Sequence, residues 1–168
     1  SRFDDAVERS HELLELRRQV FGDPSPEVGV TLDFLGRLLT DAGQYEEAER
    51  ATEEALAMSL ALHGEQSIEV ATCYQTKSVL AQISRQDYAL AEELSRKEIA
   101  IRRAVSDVDT MEPASALNNL GIFVMLQGRV EEAQPILEEA VELDRRLGGE
   151  QHPELARALE NLGNVHYR

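Results

Sequence analysis

The tetrad Phe3-Asp4-Asp5-Ala6 returns as Tyr45-Glu46-Glu47-Ala48, loosely as Tyr88-Ala89-Leu90-Ala91, and again as Val130-Glu131-Glu132-Ala133. The four alanines are spaced by 42, 43 and 42 residues. A fixed period of this size is the mark of a solenoid, in which a unit too small to bury its own apolar face buries it against its neighbours. The same feature bears on function. A stacked array offers a long surface to partners and no preformed catalytic cleft, which points to protein or peptide binding.

Each unit reads as two helices. In the third, Leu117, Leu120, Gly121, Val124 and Gln127 recur at steps of three and four, which places the apolar members on one face of a first (A) helix. A second (B) run follows through Val130, Ala133, Ile136, Leu137, Ala140, Val141 and Leu147 and ends at Gly148-Gly149, where a left-handed cap fits. The same pair occupies residues 26–42 and 45–63, punctuated by Gly43 and Gly64. The copy at 68–84 and 87–105 is the weakest. Asp107 replaces its inter-unit glycine, so that loop is expected to be the least regular. The expected fold is all-α, a solenoid of antiparallel helix pairs. Residues 1–23 form a lone B helix, 24–66, 67–109 and 110–151 are whole units, and 152–168 is a lone A helix. Because both ends interrupt a unit, the chain is expected to be a fragment of a longer array whose exposed ends could pair end to end.

Charge narrows the partners. With 17 basic and 32 acidic residues the net charge is −15, which disfavours nucleic acid. Acids cluster in the B helices, as at Glu46, Glu47, Glu53 and Glu54, with arginines such as Arg145 and Arg146 toward the ends, the arrangement of a solvated face matched to the helix dipole. No apolar run approaches a bilayer span, so no membrane is expected, and the single cysteine, Cys73, fits a reducing, cytoplasmic setting.

Close packing explains the small residues. Gly36, Ser78, Gly121 and Gly163 allow each A helix to approach its partner, and Ala6, Ala48, Ala91 and Ala133 do the same on the B helices. Lys77 departs from the pattern by standing where Leu35, Leu120 and Leu162 stand, so its ammonium is expected to reach solvent or a carboxylate. Pro135, just past the first turn of its helix, is expected to bend it mildly.

Catalytic motifs are lacking. The four histidines, His11, His63, His152 and His166, are dispersed without metal-ligand spacing, and no phosphate-binding glycine loop or nucleophile elbow occurs. Cys73 beside Tyr74 reads as a small buried thiol. Adjacent acids such as Glu46 and Glu47 diverge by about a hundred degrees on a helix and cannot share a proton. No enzyme activity, metal or cofactor is expected.

Leu35-Gly36, Leu120-Gly121 and Leu162-Gly163, with the segments Ala116-Leu117-Asn118-Asn119-Leu120-Gly121, Gly43-Gln44-Tyr45-Glu46-Glu47-Ala48-Glu49 and Gln151-His152-Pro153-Glu154-Leu155-Ala156, resemble the tetratricopeptide repeat. The 42-residue period, against about 34 in the usual unit, resembles the kinesin-light-chain subtype, which is also abundant in bacterial regulatory proteins. The resemblance covers essentially the whole chain and implies a right-handed superhelix whose concave surface is lined by the A helices. Carried over by position relative to the small residue, that surface would hold Asp33, Arg37 and Asp41, then Gln75 and Gln82, then Asn118, Ile122 and Met125, then Glu160 and Asn164, with Arg157 one turn before Glu160. Thr40, Val79, Ile83, Leu126, Tyr167 and Arg168 share the same register. Asn118 and Asn164 are expected to capture an extended peptide backbone, since an amide both donates and accepts. The expected function is a protein- or peptide-binding scaffold. The alternative is a regulatory or self-associating arm of a larger signalling enzyme, such as a protein kinase or a nucleotide-switched ATPase.

Overall fold

The computed structural model describes residues 2–105, 111–149 and 153–167. In it the period becomes eight helices: α1 (Arg2–Phe21), α2 (Pro26–Asp41), α3 (Tyr45–His63), α4 (Ile68–Arg85), α5 (Tyr88–Val105), α6 (Met111–Leu126), α7 (Val130–Gly148) and α8 (Pro153–Tyr167). The Asp107 loop, His152, Arg168 and the side chains of His166 and Tyr167 lie outside the described residues. No described helix is long and apolar enough to cross a membrane.

Local chemistry sets the helix starts. Ser25 and Ser67, in extended backbone, accept from the N–H groups of Val28 and Val70 at 3.4 and 3.3 Å, capping α2 and α4. Pro26 holds the first position of α2, where a missing N–H costs nothing. The B helices α3 and α7 have no side-chain cap and instead carry acids in their first turns, Glu46 and Glu47 or Glu131 and Glu132, facing the positive end of the dipole. Helix α7 continues unbroken through the exposed Pro135.

The turn between A and B helices accounts for the uneven period. Gly36 to Ala48 and Gly121 to Ala133 are each 12 residues apart, but Ser78 to Ala91 are 13. In the first and third units the turn closes with Gln44 N–H on Leu39 O and Arg129 N–H on Val124 O, spanning five residues, with Gly43 and Gly128 at positive φ. In the second, Asp87 N–H reaches Ala81 O, six residues back, and Gln86 takes the left-handed conformation at φ 52°. The extra residue is therefore absorbed in this turn, and the helices on either side keep register.

Register matters because the pairs approach closely. A Cβ on Gly121 would stand 2.5 Å from Leu137 Cγ, and one on Gly36 would fall closer still to Thr52 Cγ2. Ala48, Ala91 and Ala133 are fully buried, and Ser78 fits by turning its hydroxyl back onto Gln75 O at 2.8 Å. Leu32, Leu35, Leu39, Leu117, Leu120 and Val124 fill the seams between helices. Each such side chain contributes about 1.5–3 kcal/mol. On α8 the equivalent positions have no covering helix among the described residues: a Cβ on Gly163 would meet no neighbouring atom within 4 Å, and Leu159 is exposed.

The second unit carries the polar exceptions. Lys77 is half-buried and extends its ammonium to Glu53 on α3, 3.8 Å away, so it combines snorkelling with a partner. Glu98 and Arg102 form an ion pair of 2.9 Å inside α5, both nearly inaccessible, where the flanking units place Ala55 and Ser59 or Ala140 and Asp144.

Among the described residues the A helices α2 and α4 touch, as do α6 and α8, whereas successive B helices make no comparable contact. The array is thus shorter along its A side and curves toward it. The junction of α4 with α6 is the exception, with no comparable A-to-A contact among the described residues.

Candidate functional site

An α-helix turns about 100° per residue, so the positions six before, two before, one after and five after the small residue share one direction. On α2 these are Val30, Phe34, Arg37 and Asp41, and all four are exposed. Arg37 lies over the Phe34 ring, 5.7 Å from its centroid, so the strip opens with a cation stacked on an aromatic face. On α4 the open strip is half-buried Thr72 and Val79 with exposed Ile83. On α6 it is Ser115, Asn119, Ile122 and Leu126, all half-buried, and on α8 it is Arg157, Asn161 and Asn164.

The positions three before and four after point roughly 80° away, toward the next A helix. Four of the expected groove positions sit there and are buried: Asp33, Thr40, Asn118 and Met125. Asn118, 2% exposed, is held between helices and is not free on the groove floor, because its Oδ1 accepts from Asn161 Nδ2 at 3.0 Å. Asp33 accepts in the same way from Thr76 Oγ1 at 2.7 Å. Gln75 and Gln82 are half-buried, and Glu160 is exposed. Of the expected set, Arg37, Asp41, Ile122, Arg157 and Asn164 belong to the open strip. Val30, Phe34, Asn119 and Asn161 were missed, although the spacing of Val30, Phe34, Arg37 and Asp41 by four, three and four residues is a helical stripe visible in the sequence.

The two buried bonds are equivalent. Each joins the position three before the small residue on one A helix to the position two before it on the next, across 43 residues of sequence. The rung is missing at the middle junction, where the corresponding residues are Gln75 and Asn119. There a cavity of about 260 Å³ opens instead, lined by Arg37, Thr40, Asp41, Gln75, Thr76, Val79 and Asn119.

A second, more apolar cavity of about 220 Å³ lies between α2, α3 and α4, walled by Val30, Met58, Leu62 and Ile68, with Asp33 and Cys73 on its polar side. Burial pushes the Asp33 carboxyl above the usual carboxylate range, against the opposing pull of the Thr76 hydroxyl and the Arg37 guanidinium 3.6 Å away. Burial also pushes the Cys73 thiol up to about 11, although Ser59 Oγ lies within 3.6 Å, so the sulfur stays protonated and unreactive. Among the described residues no three His, Cys, Asp or Glu side chains converge to hold a metal ion.

The sequence profile of the tetratricopeptide repeat matches residues 1–61 and 112–168. The chain belongs to the tetratricopeptide repeat family. The unmatched stretch contains the second unit, with its longer turn and buried ion pair. Protein KINESIN LIGHT CHAIN-RELATED 1 of Arabidopsis thaliana is 25% identical over 165 residues, which is 98% of this chain and 27% of that protein. Among solved structures, BtubC (BKLC) from P. vanneervenii superposes with a TM-score of 0.79 at 25% identity, over 90% of this chain and 60% of that one. The TPR-like repeats of a kinesin light chain candidate from Podosopora anserina superpose with a TM-score of 0.79 at 18% identity, over 98% and 78%. The tetratricopeptide repeats are of the kinesin-light-chain-like kind and form an all-α, right-handed superhelical solenoid. The chain spans about a quarter of the length of its Arabidopsis relative.

Proposed function

We propose that this tetratricopeptide array is a scaffold that binds an extended segment of a partner protein along the strip formed by α2, α4, α6 and α8. Repeats of this family mediate protein–protein interaction. The observation that carries the choice of face is the composition of the strip. It combines an exposed aromatic and aliphatic edge, Val30 and Phe34, with half-buried amides and small hydroxyls on an array that curves toward it. The opposite B faces carry acids engaged in solvent-facing ion pairs, such as half-buried Glu49 with Arg85 and exposed Glu139 with Arg103. Such exposed pairs contribute little binding energy.

Charge on the strip is balanced. The strip carries Asp41 together with Arg37 and Arg157, and Glu160 lies one turn from Arg157, so the ligand need not be strongly basic despite the overall acidity. Affinity would come from many modest contacts to an extended chain, with Phe34 and Arg37 as anchors. The test is selection of peptides from an unbiased library on the intact chain, followed by calorimetry. Phe34→Ala and Arg37→Ala should each weaken a selected peptide about tenfold, while Glu131→Ala and Glu142→Ala on the B side should leave it unchanged. The reverse pattern would move the binding face to the outside of the array.

A further inference from the structure

The missing rung defines a pocket with its own chemistry. Thr76 closes the α2–α4 seam onto Asp33, and Asn161 closes the α6–α8 seam onto Asn118. At the seam between them, Gln75 and Asn119 face the cavity, and neither side chain makes a hydrogen bond to another described residue. We propose that this cavity seats a neutral carboxamide side chain, asparagine or glutamine, of the bound segment. The proposal rests on the reading of the A-helix strip as the peptide-binding face and adds a specificity to it.

Three observations lead to a carboxamide. Gln75 and Asn119 each present two donors and an acceptor, so only a group that gives as well as accepts answers both ends of each amide. A carboxylate only accepts and an ammonium only donates, whereas a carboxamide completes the seam on both sides. The walls also carry one cation and one anion, Arg37 and Asp41, which leaves no net field to favour a charged ligand. Finally, the competing polar groups are already committed. Thr40 donates to Gly36 O at 2.7 Å and Thr76 to Asp33, while Val79 offers an apolar wall for the methylenes of the incoming side chain.

The volume is consistent with this occupant. About 260 Å³ is more than a passing main chain fills and less than a drug-sized site, so one medium side chain enters from the open face. Bridging the gap with a ligand would tie α4 to α6 as the internal rungs tie the other A helices. Binding should therefore lower hydrogen exchange at this junction in particular.

The test uses three small probes on the intact chain: the N-acetyl methylamides of glutamine, glutamate and leucine. Nuclear magnetic resonance would follow the side-chain amide signals of Gln75 and Asn119. The glutamine probe is expected to shift both signals saturably and the other two to leave them in place. Gln75→Ala and Asn119→Ala should each weaken the glutamine probe about fivefold, as loss of one neutral hydrogen bond does, with thermal unfolding unchanged as the check on folding. Equal shifts from all three probes, or unshifted Gln75 and Asn119 with the glutamine probe, overturn the proposal. A selected peptide that still depends on Phe34 and Arg37 but shows no preference for asparagine or glutamine removes this seat alone. Loss of that dependence removes the peptide-binding strip itself.

Discussion

Thr76 donates its hydroxyl to the Asp33 carboxylate at 2.7 Å, joining the α2 and α4 helices of adjacent units, and Asn161 repeats the arrangement on Asn118 two units on. In the second case the acceptor is a neutral amide, whereas in the first it is an acid taken almost out of water. Through that difference the α2–α4 rung should respond to pH, whereas the α6–α8 rung contains no group that titrates.

The Asp33 carboxyl has a folded-state pKa above the ordinary carboxylate value, so the folded chain holds its proton to a higher pH than the unfolded chain does. The stabilisation from protonated Asp33 is fully present below the unfolded pKa and is lost as pH rises through the folded one. Asp33→Asn keeps the acceptor for Thr76 and removes the charge. It should be more stable than the parent at neutral pH, and the difference should close as pH falls through the folded pKa of Asp33. Urea unfolding of both proteins across that range is the measurement. A difference that does not change with pH would show that the Arg37 guanidinium compensates the buried charge in full.

Two glycines at equivalent positions should respond oppositely. Gly121→Ala drives a methyl into Leu137 and is expected to cost about 1–3 kcal/mol. Gly163→Ala meets nothing within 4 Å and should gain up to about 1 kcal/mol from helix propensity. Thermal unfolding of the two variants side by side checks both. An equal loss at Gly163 would mean that its face is covered in solution.

Most of the scaffold was legible in the sequence because period and packing are the same fact. Gly36, Gly121 and the buried alanines recur where backbones must approach, so the repeat could be read before the helices were seen. The site was less legible. Placing groove residues by their offset from the small residue ignores how far each offset has rotated, and it put Asp33, Asn118 and Met125 on a surface when they lie in seams. Asn119, one residue further along than Asn118, turns to the open face instead. The empty junction between α4 and α6 could not have been foreseen, since Gln75 and Asn119 are as able to bond each other as the pairs that do.

Gln86 holds a left-handed conformation where the other two turns have Gly43 and Gly128. A non-glycine residue there costs roughly 1–2 kcal/mol, of which the greater freedom of unfolded glycine offsets about 0.5–1. Gln86→Gly should therefore stabilise the chain by about 0.5 kcal/mol. The gain should appear as a higher urea midpoint with an unchanged slope. A lower midpoint would show that the Gln86 side chain makes a contribution larger than the strain of its backbone.

The ion pair in α5 offers the sharpest comparison between units. Glu98 and Arg102 occupy positions that hold Ala55 and Ser59 one unit earlier, so this part of the second unit packs around charge where the first packs around small side chains. Arg102→Ser alone removes the 2.9 Å partner of a nearly inaccessible carboxylate and should cost about 3–5 kcal/mol. Glu98→Ala with Arg102→Ser restores the residues of the first unit and removes both charges together. If the pair is held by mutual attraction, the double variant should be less destabilised than the sum of the single ones by about 1–3 kcal/mol, as measured by chemical unfolding of all four proteins. Strict additivity would mean that each residue is stabilised by groups other than its helix neighbour. The substitution would then be a change of packing, and not of charge, in the least regular unit of the array.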